Sequence, residues 1–104
     1  MRVVTDGGSN AVSVAEHTMM LILSVYRRMI LVWANARAGK WRSGLSTEHV
    51  FELSGKTVGV IGFGNVGRQL ARKLAGFDVR ILYHDIIELM PGRDLELGAT
   101  AASL

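Results

Sequence analysis

Between Met19 and Trp33 apolar residues crowd the chain, with Met19, Met20, Leu21, Ile22, Leu23, Val25, Tyr26, Met29, Ile30, Leu31, Val32 and Trp33 occupying almost every angle around a helix axis. Ser9 and Asn10 are favourable N-cap residues, and Ser13 followed three places later by Glu16 has the spacing of a capping box. No glycine or proline intervenes before Gly39. The pattern predicts one long helix within residues 11–38, about 25 residues and close to 40 Å at 1.5 Å per residue. A single buried face cannot hold so many apolar side chains. The second side is expected to meet another subunit, the same helix across a twofold axis; the alternative is another part of its own protein.

From Thr57 the spacing changes. Val58, Val60 and Ile61 are β-branched and read as a strand covered on both faces. Val66, Leu70, Ala71 and Leu74 then recur at helical spacing, with Arg68, Gln69, Arg72 and Lys73 mostly opposite, and Gly76 is expected to end that helix. Val79 to Tyr83 reads as a second strand, and Leu97 to Ala101 as a short third. Before the long helix, MRVVTDGGSN has a strand-like start and a polar turn. Residues 39–56 form a polar, glycine-containing arm anchored by Trp41, Leu45, Val50, Phe51 and Leu53.

The glycines between the first strand and its helix carry the candidate chemistry. Gly62 allows a sharp turn out of the sheet, Gly64 leaves room for a ligand against the backbone, and Gly67 permits close packing of helix on strand. The amides of Asn65, Val66 and Gly67 open the helix, where free N–H groups and the positive dipole end suit a pyrophosphate. Asp85 closes the second strand, placed to accept hydrogen bonds from both ribose hydroxyls. With Ile86 and Ile87 following instead of arginine, NAD is expected over NADP, the isoleucines lining the adenine pocket. A glycine turn in a flavodoxin-like sheet, or one holding S-adenosylmethionine, is the alternative. The fold class is therefore α/β, a partial Rossmann domain (doubly wound parallel sheet) with a long N-terminal dimerisation helix. Residues 57–87 are the dinucleotide-binding βαβ unit and residues 88–104 start the next.

At 104 residues the chain is one domain at most, and one βαβαβ half of such a fold is visible. Its sheet should have few strands and an open edge. No cysteine is present, which excludes a disulfide framework and thiol catalysis. The formal charge of +3 is spread over helix faces and one loop, so it is read as a solvated surface and not as a nucleic-acid footprint. Arg27 and Arg28 interrupt the most hydrophobic region, so no membrane span is expected there. The start of the chain does not read as a signal peptide, and a cytoplasmic protein is expected.

In order, NAVSVAEHTMMLILSVYRR, GKW and ELSGKTVGVIGFGNVGRQLARKLAGFDVRILYHD resemble the D-isomer-specific 2-hydroxyacid dehydrogenases, the family of phosphoglycerate and formate dehydrogenases. The resemblance implies a two-domain, usually dimeric enzyme that moves hydride between NAD and the C2 of a 2-hydroxy or 2-keto acid. It implies that the helix from Ser13 to Ala38 belongs to the dimer interface, that Asn10 lies near the substrate and Val14 near the nicotinamide, and that Trp41 is presented to the neighbouring subunit's active site. The family's catalytic arginine, glutamate and histidine match no residues of this chain. His17, His49 and His84 are read as structural or surface groups, with no metal-site spacing. The expected function is thus the NAD-binding segment of an oxidoreductase, inactive in isolation. A non-catalytic NAD-sensing or dimerisation module of the corepressor type is the alternative.

Overall fold

A computed structural model describes residues 1–89 and 92–104. Helices α1 (Ala11–Tyr26) and α2 (Met29–Arg37) come first, then strand β1 (Thr57–Ile61), helix α3 (Asn65–Leu74), strand β2 (Arg80–His84), the single-turn helix α4 (Arg93–Glu96) and strand β3 (Ala99–Ala101). The strands form one parallel sheet in the order β1-β2-β3. Val58 pairs with Ile81, Val60 with Tyr83 and Ile81 with Ala99. Side chains alternate along a strand, so these residues share one face.

That face builds the core. Val60, Ile81, Tyr83 and Ala99 cluster with Leu70, Ala71 and Leu74 of α3 and with Ala15 and Met19 of α1. Phe63 and Leu74 are the largest fully buried side chains, and Phe63 stacks on Tyr83 with ring centroids 4.3 Å apart. Burial, aided by the charge of Asp94, pushes the Tyr83 phenol above its ordinary pKa. The opposite face is bare, with Ile61 74% exposed and Gly59 and Thr100 also exposed. β1 is therefore covered on one face and not on the two that its β-branched run suggested, because the core helices share one side of the sheet.

The long helix expected within residues 11–38 is two helices, bent by 67° at a break. Arg28 stands in the left-handed region at φ 50°, although neither glycine nor proline is near. A contact from the arm accounts for the break. The Phe51 N–H donates to the Tyr26 carbonyl at 3.0 Å, a group that a continuing helix would need, and the two rings pack with centroids 5.7 Å apart. No single helix among the described residues is long and apolar enough to cross a membrane; α1 and α2 reach that length and composition only when taken together across the bend.

Other expectations shift locally. Ser13 and Glu16 form no capping box: α1 starts at Ala11, and Asn10 makes no side-chain cap bond because its φ of −91° and ψ of 6° are not the extended geometry a cap requires. Glu16 instead pairs with Lys73 of α3 at 3.2 Å. α3 ends at Leu74, a 3-10 turn follows over Ala75–Phe77, and Asp78, not Gly76, takes the left-handed position. The Asp78 carbonyl accepts the Gly55 N–H at 2.9 Å, tying the end of the arm to the entry of β2. The arm is ordered further by the buried Asn35, whose Nδ2 donates to the Ser43 carbonyl at 2.5 Å, and by buried Leu53. The start of the chain is not a strand, and Val3 and Val4 are exposed. The third strand is shorter than Leu97 to Ala101, with buried Leu97 preceding it.

Candidate functional site

The entry of the turn after β1 is held by the end of β2 and the residue that follows it. The Gly62 N–H donates to the His84 carbonyl at 2.8 Å, with Gly62 at φ 88°, a conformation that a Cβ would strain. The Phe63 N–H then donates to Asp85 Oδ2 at 2.5 Å, and the Ile87 N–H to Asp85 Oδ1 at 3.0 Å. Each carboxylate oxygen thus takes one amide. A carboxylate has roughly four lone-pair sites, so about two remain for ligand hydroxyls. The Ile87 amide, then the Phe63 amide, hold the Asp85 pKa below its ordinary value, with the Ile86 amide and His84 adding to the effect and partial burial opposing it. Asp85 is therefore a fixed anion at neutral pH.

On the other side of the turn, a Cβ added to Gly64 would meet nothing within 4 Å, so the backbone there lies open. A Cβ on Gly67 would lie 2.4 Å from the Gly62 carbonyl oxygen and 3.3 Å from Val60 Cγ1. That approach brings the first turn of α3, Asn65, Val66 and Gly67, against the exit of β1. The structure therefore gathers Gly62, Gly64, Asn65, Val66, Gly67 and Asp85 into one place. Ile86, beside them, is 94% exposed.

Asn65 offers more than its amide. Its Nδ2 donates to the Gly7 carbonyl at 3.0 Å, while its Oδ1 accepts from Arg68 Nη2 at 2.9 Å. Gly8 passes so close that a Cβ there would lie 2.3 Å from Asn65 Nδ2. The loop that leads into Asn10 and Val14 is thereby pinned to the glycine turn. Sequence reading missed this link and the Asp85 to Phe63 bond. No local signal pointed to either, since the two bonds join residues 58 and 22 places apart in the chain. Trp41 stands apart: 89% exposed, it lines a cleft of about 530 Å³ with Arg27, Val32 and Arg42. The histidines are separate too. His84 Nδ1 lies 3.1 Å from the Ala102 carbonyl, His49 Nδ1 lies 2.6 Å from Ser46 Oγ, and His17 is exposed on α1. No group of three metal-ligating side chains occurs among the described residues.

Residues 19–104 match the model of the D-isomer specific 2-hydroxyacid dehydrogenase, NAD binding domain. The chain belongs to this dehydrogenase family. It is 39% identical over 92 residues to a formate dehydrogenase of Chaetomium thermophilum, covering 88% of this chain and 25% of that one. It is 42% identical over 76 residues to a glyoxylate reductase of Thermofilum pendens, covering 71% and 22%. Among solved structures, the NAD-dependent formate dehydrogenase from Staphylococcus aureus in complex with NAD superposes with a TM-score of 0.78 at 35% identity, over 92% of this chain and 28% of that one. The chain spans about a quarter of the length of these relatives. What it shares with the 2-hydroxyacid dehydrogenases is their NAD-binding domain, and NAD is the cofactor. The turn suits that ligand, for its open Gly64 leaves a cradle that a Cβ would fill and its one fixed anion would repel a 2′-phosphate.

Proposed function

We propose that this chain is the cofactor-holding segment of an oxidoreductase that moves hydride between NAD and the C2 of a 2-hydroxy or 2-keto acid. The observation that carries the reading is the Asp85 carboxylate, fixed by the Phe63 and Ile87 amides beside an open glycine turn. In this reading Gly62, Gly64 and the N–H groups of Asn65, Val66 and Gly67 hold the pyrophosphate, Asp85 accepts the ribose hydroxyls, and Ile86 covers the adenine. Val14 borders the nicotinamide, and Asn10 and Trp41 serve the substrate, Trp41 from the neighbouring subunit. Bound NAD would supply the hydride acceptor. Among the names of the relatives, glyoxylate reductase points to glyoxylate, a 2-keto acid, as the substrate; a formate dehydrogenase would instead take the hydride from formate's one carbon.

The segment does not hold the catalytic arginine, glutamate and histidine in this reading, and its separated histidines support that. Turnover then needs further sequence, and cytoplasm is the proposed compartment. Titration with NADH and NADPH, followed by energy transfer from Trp33 and Trp41, tests the cofactor site. Saturable binding that prefers NADH and is lost in Asp85→Ala is expected. Equal binding of both cofactors, unaffected by that substitution, would sink the assignment of Asp85.

A homodimer through α1 and α2 is part of the proposal, and it also supports a second reading as a dimerisation or NAD-sensing module. Met20, Leu21, Val25, Met29, Ile30 and Trp33 are exposed, and an apolar cleft of about 750 Å³ runs between α1, α2 and Phe51. Contiguous exposed apolar side chains of this kind mark an interaction face. A monodisperse monomer in light scattering would remove the dimer and the dimerisation part of this second reading.

A further inference from the structure

A cleft of about 260 Å³ opens where the α1 entry loop meets α3; Asn65 lines it, and Asp85 and Ile86 do not. Its walls include Gly7, Gly8, Asn65, Arg68, Arg72 and Arg93, and no acidic residue lines it. Arg68 and Arg72 are one turn apart on α3, a spacing at which like charges repel. Arg93 adds a third guanidinium from α4. Among the described residues the ion pair within 4 Å is Lys73 with Glu16, so none of the three arginines has a carboxylate partner.

Arg68 is also pre-set. Its Nε donates to the Gly64 carbonyl at 3.2 Å and its Nη2 to Asn65 Oδ1, which fixes the plane of the fork. A cation held near the positive end of a helix dipole, beside two further cations, is an arrangement that an anion would relieve. Guanidinium forks match tetrahedral oxyanions by paired N–H bonds. Three of them exceed what a single negative charge needs, and the cleft leaves space for a dianion.

We propose that this cleft is a binding site for a phosphate dianion, either inorganic phosphate or a phosphate monoester, beside the place of the cofactor's pyrophosphate and sharing Asn65 with it. Arg72 and Arg93 carry most of the recognition, with Arg68 orienting the oxyanion toward the Gly7–Gly8 loop. The site does not depend on the dehydrogenase reading. Because that loop is bonded to Asn65, occupancy would stiffen the connection between the glycine turn and the start of α1.

The test is nuclear magnetic resonance titration of the whole chain with inorganic phosphate and, separately, glycerol 2-phosphate, against chloride at matched ionic strength. Saturable shifts at the amides of Gly7, Gly8 and the Arg68 to Arg72 turn are expected. Arg72→Gln and Arg93→Gln, both at exposed positions, should each weaken binding at least roughly tenfold while NADH titration is unchanged. Tighter binding of glycerol 2-phosphate than of phosphate would support the site and identify a monoester as the ligand, and the reverse would support free phosphate. Shifts that do not saturate, or that chloride reproduces, would overturn the proposal. So would saturable phosphate binding that survives both substitutions and is displaced by NADH, since the ion would then lie in the glycine turn.

Discussion

The βαβ unit and the helix pair before it draw on the same apolar residues, yet they use them differently. In the βαβ unit, Leu70, Ala71 and Leu74 meet Val60, Ile81 and Tyr83 across one interface, and the polar residues of α3 face outward. In α1 and α2, a narrow stripe of Ala11, Ala15 and Met19 is buried while Val25, Ile30 and Trp33 are left in solvent. One segment gathers its apolar side chains into a single core, to which α1 adds only Ala15 and Met19. The other depends on distant contacts for its length and leaves a surface suited to a partner. Apolar content alone thus does not tell a core from an interface; its angular distribution does.

Leu74→Ala should separate the two regions most sharply, costing about 2–5 kcal/mol in urea unfolding because the side chain is fully buried. A loss below about 1 kcal/mol would mean the core is looser than its packing indicates. Gly67→Ala comes next, at about 1–3 kcal/mol with NADH binding lost, since the new methyl would press on the Gly62 carbonyl. Retained binding would show that α3 can move off β1 without harm.

The Asp85 carboxylate sharpens the comparison through pH. Its folded pKa is depressed by backbone amides, so its contribution is present above the unfolded value near about 3.9 and is lost as pH falls through the lower, folded value. Unfolding curves for the protein and for Asp85→Asn should differ at neutral pH and converge in strong acid. A difference that persisted there would contradict the role of the ionised form.

Smaller effects belong to the helix pair. Arg28→Gly should stabilise by roughly 0.5–1 kcal/mol in thermal unfolding, because glycine adopts the left-handed conformation without a Cβ penalty. A destabilised variant would indicate that the arginine side chain holds the bend. Ile30→Asp should change the stability of an isolated chain by no more than about 0.5 kcal/mol, given 85% exposure. A further loss that depends on protein concentration is expected where copies pair through this face, and its absence would count against the proposed dimer.

Much of the βαβ unit was legible in the sequence. A glycine whose backbone turns at positive φ, another with no room for a Cβ, and an acid at the end of the next strand act within a few residues, and local geometry constrains them. Asn10 and Val14 entered by resemblance alone, since nothing in their own spacing links them to the glycine turn; the Asn65 bond to Gly7 ties only the loop before them to that turn. The break at Arg27 and Arg28 was hidden because no helix breaker marks it.

By itself, then, the sequence determined the order of the elements in the βαβ unit, the glycine turn and the acid beside it, since periodicity and backbone freedom are properties of neighbouring residues. Only the tertiary structure decided that α1 stops where Phe51 takes the Tyr26 carbonyl, that one face of the sheet is bare, and that Arg68, Arg72 and Arg93 line one cleft. Those outcomes join residues far apart in the chain, and their pairing depends on how the helices settle on the sheet.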